Sequence, residues 1–77
     1  MRRYVVDSSV IAAVAYDSEA ELMQITFKTG RVYDYYDVPA RVVEELLAAE
    51  SQGRYFNTKI REKYRNFEVT PDEEVSR

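Results

Sequence analysis

The chain reads as an α+β domain: a three-stranded antiparallel β-meander followed by two α-helices packed on one face. Three observations lead there. An alternating segment, Glu21 to Phe27, runs into a Lys28-Thr29-Gly30 turn and returns through Arg31 to Tyr36. Asp37-Val38-Pro39 then closes the extended half, and Val42, Val43, Leu46 and Leu47 recur at helical spacing after it.

Residues 1–7 read as a lead-in, 8–69 as a single domain and 70–77 as an acidic, flexible tail. The run Val10 to Tyr16 is apolar on both faces, so periodicity does not separate strand from helix. The closing Asp17-Ser18-Glu19 cluster and the alternating segment that follows favour strand. In the second strand Met23, Ile25 and Phe27 point one way, with period two. Gly30 supplies the positive φ that a tight hairpin needs. In the third strand Tyr33 and Tyr35 share one side, while Val32, Asp34 and Tyr36 share the other. Burying the Asp34 carboxylate unpaired would be costly, so Tyr33 and Tyr35 are placed inward with Met23, Ile25 and Phe27.

Pro39 suits the first position of a helix and holds Val38 extended. Asp37 is expected to offer its carboxylate to the free amides of the first turn. That helix runs to about Ala49, with Arg41, Glu44, Glu45 and Ala48 on its wet side. Ser51 is placed as the N-cap of a second helix, in which Gly53 allows a close approach to the first and Phe56 and Ile60 are buried. Tyr64 to Val69 is expected to lie across the body as an extended tail.

Composition removes several function classes. The chain has 77 residues with no cysteine and no histidine. Disulfides, thiolate metal sites and the commonest general acid/base are therefore absent. Ser8, Ser9 and Ser51 have no histidine partner, and the carboxylates come as the runs Glu44-Glu45 and Asp72-Glu73-Glu74. The two glycines form no phosphate-cradling loop. The expectation is a protein that is not an enzyme and has no metal or cofactor. No apolar run reaches membrane-spanning length, and a cytoplasmic setting is expected.

The order Ser9 … Ala15-Tyr16-Asp17 … Gly30-Arg31-Val32-Tyr33-Asp34-Tyr35 … Val38-Pro39 … Ser51-Gln52-Gly53-Arg54-Tyr55-Phe56-Asn57 … Ile60-Arg61 … Tyr64 resembles the KTSC domain. That family is named for the C-terminus of some bacterial lysyl-tRNA synthetases and also occurs as small stand-alone proteins. The resemblance covers residues 8 to 65. It departs at Ala15, where glycine is the expected residue. The motif residues Tyr33, Tyr35, Pro39, Ser51, Gly53, Tyr55, Phe56 and Asn57 read as structural. The association with the synthetase implies an RNA-binding role.

The residues themselves offer one place for such a role. The net charge is −3, so bulk attraction to polyanions is not expected. Residues 54–65, however, carry five cations against Glu62 alone, a local +4 that leaves −7 for the rest. Arg54, Tyr55, Lys59, Arg61, Lys63 and Arg65 are the candidate nucleic-acid-binding residues, with Tyr55 and Tyr64 interleaved for stacking. If that stretch is helical throughout, Arg54, Arg61 and Arg65 cluster opposite Phe56 and Ile60. The Tyr33/Tyr35 pair is a stacking platform or, as its register favours, core. The function expected is a small non-catalytic binding module for RNA. The alternative is a protein–protein interaction or homo-oligomerisation module built on the unpaired edges and second face of the sheet.

Overall fold

A computed structural model describes residues 1–69. The proposed acidic tail, 70–77, lies outside them. The order of elements is β1 (Arg2–Val5), β2 (Ile11–Asp17), β3 (Leu22–Phe27), β4 (Val32–Tyr35), α1 (Ala40–Ala48), α2 (Gln52–Tyr55) running on as a π-helical segment (Phe56–Ile60), and β5 (Asn66–Val69). The strands form one antiparallel sheet in sequence order, and both helices pack on the same face. The α+β class and the helical layer stand, but the sheet has five strands rather than three.

Both added strands are edges. The lead-in supplies β1, whose Tyr4 sits opposite Val14. The expected tail supplies β5, whose Phe67 sits opposite Asp34. Each is four residues long, and their charged residues suit an edge exposed to water.

The central pairing explains why β2 showed no clean alternation. Ile11 opposes Phe27 but Ala13 opposes Thr26, so Ala12 is an extra residue, a β-bulge. The bulge resets the phase, and Ile11, Val14 and Tyr16 all reach the helix side and are buried. Ala15, the departure from the family pattern, lies mid-strand and needs no left-handed backbone.

Tyr35 opposes Met23 and Tyr33 opposes Ile25, which confirms the inward placement of both tyrosines. Asp34 points away, where the Gln24 amide donates to its Oδ1 at 3.0 Å. The Lys28–Gly30 turn has Gly30 at φ +99°, and the Gly30 amide donates to the Phe27 carbonyl at 2.9 Å.

The strand-to-helix joint differs from expectation. Asp37 does not cap α1; it takes the left-handed conformation, φ +61°, which an aspartate tolerates. Pro39 is itself the N-cap and accepts no side-chain bond, so the helix starts one residue later than its first proline suggests. The joint is held at Val38 instead. The buried Tyr16 hydroxyl donates to the Val38 carbonyl at 2.6 Å, and the Val38 amide donates to Glu21 O at 2.9 Å. Val38, fully buried and kept extended by the following proline, thereby ties β2, the β2–β3 turn and α1 together.

α1 buries Val42, Val43 and Leu46, as its spacing predicts. Ser51 caps α2, its hydroxyl accepting from the Arg54 amide at 3.2 Å. Gly53 does approach another element closely, but that element is the β1–β2 loop and not α1: a Cβ there would lie 3.2 Å from Val10 Cγ2. The chain then loosens into a π-helix, in which the Arg61 amide donates to the Phe56 carbonyl five residues back at 2.9 Å. Among the described residues no helix is long and apolar enough to cross a membrane.

Candidate nucleic-acid interface

The helix ends at Ile60, so the single basic stripe expected for Arg54, Arg61 and Arg65 does not form. The cations fan out instead. Arg54 lies beside Ser9 and Gly53. Lys59 and Lys63 join Arg41, Tyr55 and Tyr64 at the α1–α2 groove, with Lys63 Nζ 5.9 Å from the Tyr64 ring centre. Arg65 reaches the uncovered face of the sheet, where its guanidinium sits 5.4 Å from the Tyr36 ring centre. Tyr36 in turn meets the exposed Phe67 edge to face.

Arg61 takes a different place. It lines a cleft of about 440 Å³ between β4 and the π-helical segment, together with Tyr33, Tyr35, Asn57, Glu62 and Asn66, over a floor of Phe27, Phe56 and Val10. The rings of the floor and wall interlock. Phe27 meets Tyr33 at 5.9 Å and Phe56 at 5.3 Å, and Phe56 meets Tyr35 at 5.5 Å, each edge to face. The register of β3 and β4 places the two tyrosines, and the four-residue spacing of Asn57 and Arg61 brings those two to the same cleft. Residues assigned to the family framework (Tyr33, Tyr35, Phe56, Asn57) thus share one concave surface with a residue assigned to binding (Arg61).

The tyrosine hydroxyls divide into two kinds. Those of Tyr16 and Tyr55 are engaged, with Tyr55 donating to Glu45 Oε1 at 2.6 Å. Those of Tyr33 and Tyr35, like those of Tyr4, Tyr36 and Tyr64, make no side-chain hydrogen bond within the described residues. Burial pushes the Tyr35 hydroxyl up to about 12, helped by the neighbouring Tyr33, while Arg61 pulls the other way. Tyr55 is also raised to about 12, by burial and then by its bond to Glu45 and that carboxylate's charge; Tyr16 is raised by burial and then by Glu21 and Asp17.

A phenol that titrates later in the folded than in the unfolded chain stabilises the fold up to its unfolded pKa, and that stability is lost as pH rises through the folded one. Chemical denaturation followed against pH should therefore show stability falling as pH rises from 10 towards about 12. Tyr35→Phe should shrink that fall. A stability independent of alkaline pH would contradict the burial of these hydroxyls.

The KTSC domain family matches residues 7–64, three quarters of the chain and all of the cleft's floor. The chain belongs to the KTSC domain family. A crystal structure of a KTSC domain protein from Yersinia pestis is similar at a TM-score of 0.83 and 31% identity, covering 90% of this chain and 97% of that one. A protein of Tsukamurella paurometabola is 42% identical over 60 residues, which span 78% of this KTSC domain chain and 90% of the relative. A lysine–tRNA ligase of Nostoc punctiforme is 37% identical over 59 residues, 77% of this chain but 10% of the ligase. The sequence alone named Arg61 and the two tyrosines separately; Glu62 entered only as the one acid of the basic segment, and Asn66 carried no signal, because Tyr64 to Val69 was read as an extended tail.

Proposed function

We propose that this KTSC domain is a non-catalytic module that binds single-stranded RNA through residues 54–65, working in a cytoplasmic setting. The observation that carries the reading is Arg61 in one cleft with Tyr33 and Tyr35, at the centre of a fan of cations. A guanidinium with phenol and amide neighbours suits a phosphate and its base better than it suits an apolar partner. The similar stretch in lysine–tRNA ligases supports it, since those proteins act on a tRNA. The fanned arrangement suits a strand that curves around the α2 segment, with Lys59 and Lys63 on one side and Arg65 on the other.

Binding to a short single-stranded RNA and to tRNA across a salt series tests this. The affinity should fall steeply with salt, and Arg61→Glu should weaken it and reduce the log–log salt slope by about 0.7, one phosphate contact on a single strand. No RNA affinity at low salt would sink the reading.

A second reading rests on the uncovered sheet face. Phe67 is 59% exposed there beside Val32 and Val69, and Val5 is 97% exposed at the opposite edge on β1. That surface would suit self-association, and sedimentation of the same samples would detect it.

A further inference from the structure

Tyrosines that serve packing alone gain nothing from a hydroxyl, and phenylalanine would fill the same space. The Tyr16 and Tyr55 hydroxyls are bonded, whereas those of Tyr4, Tyr33, Tyr35, Tyr36 and Tyr64 make no side-chain hydrogen bond within the described residues. The two phenols of β4 line one cleft with the Arg61 guanidinium, Tyr35 almost buried at 3% exposure and Tyr33 half-buried. The cleft they share has an apolar floor of interlocked rings. Around its rim stand donors: the Arg61 guanidinium, both hydroxyls and the Asn57 amide. The Asn66 amide is partly spent, donating to the Tyr64 carbonyl at 3.0 Å. Glu62 is the one carboxylate among the lining residues.

We propose that this cleft is a single-nucleotide subsite, in which Arg61 and the Tyr33 and Tyr35 hydroxyls hold a phosphate and the Phe27–Phe56 floor takes the attached nucleoside. The donor set is that of an oxyanion site: charge-assisted bonds from a planar guanidinium, supplemented by neutral hydroxyls. Phosphate alone would leave the apolar floor empty, and a nucleoside alone would leave the guanidinium unpaired. The free side chain of Asn57, exposed at the rim, has both a donor and an acceptor for a base edge. Glu62 opposes the phosphate and limits its affinity. This subsite rests on the RNA reading, of which it is one position on the strand, but it also makes a claim about free nucleotides.

The test titrates the full chain with a nucleoside 5′-monophosphate, with the nucleoside and with inorganic phosphate, following the tyrosine ring resonances. The nucleotide is expected to bind at least about tenfold more tightly than either part. Arg61→Gln is expected to weaken it by about tenfold or more, and Tyr33→Phe and Tyr35→Phe by about three- to tenfold each, with unchanged melting. Glu62→Gln is expected to strengthen it about twofold, the size of one exposed charge–charge interaction. A nucleotide that does not bind, or that binds equally well to all four variants, overturns the subsite. If RNA binding persists in that case, only the subsite is lost. If the nucleotide binds as expected while RNA does not, the subsite stands and the RNA reading fails.

Discussion

Tyr35→Ala should destabilise the domain by roughly 2–4 kcal/mol, while Tyr35→Phe should leave stability within about 0.5 kcal/mol at neutral pH. The ring is 3% exposed, packs on Phe56 at 5.5 Å and closes the aromatic cluster beneath the cleft. Truncation removes that packing and opens a cavity between β4 and the π-helical segment. Removing only the hydroxyl deletes no hydrogen bond, because none is made within the described residues. Urea unfolding of both variants separates the ring from the hydroxyl. A stable Tyr35→Ala would put the ring outside the core. A strongly destabilised Tyr35→Phe would mean that the hydroxyl serves structure after all, and the case for a ligand would weaken.

Leu46→Ala is expected to cost about 2–5 kcal/mol, because Leu46 is fully buried at the contact of α1 with the sheet. A domain of this size has about 4–12 kcal/mol in all, so the loss is a large share of it. The melting temperature should drop by roughly 10–25 °C. Val43, three residues earlier on the same helix face and 3% exposed, leaves the site little freedom to collapse. A change of a few degrees in a thermal melt would show that α1 is loosely held and that the helical layer is not what covers the sheet.

Local chemistry made much of this legible in advance. The facing of Tyr33 and Tyr35 followed from the cost of burying Asp34, and the structure gives Asp34 to Gln24 on the far side. Ser51 and Gly30 acted as their residue types predict. The misses have physical causes. β1 and β5 put few apolar side chains into the core, so neither carried a hydrophobic pattern that could identify it. Asp37 resembles a cap in sequence, but its backbone is needed for the turn at Val38, and that geometry depends on Tyr16 and Glu21, far along the chain. The cleft was hidden for the same reason. Its residues come from β4, the π-helical segment and β5, and only the register of the sheet brings Tyr33 and Tyr35 to Arg61 and Asn66.

The central claim is that this KTSC domain meets RNA at that cleft. Chemical-shift mapping of the full chain with a short single-stranded RNA at low salt tests it most directly. The expected shifts centre on Tyr33, Tyr35, Asn57 and Arg61 and extend to Lys59 and Lys63. Shifts confined to Val5, Val32, Phe67 and Val69 on the uncovered sheet face, or no shifts at all, would contradict it.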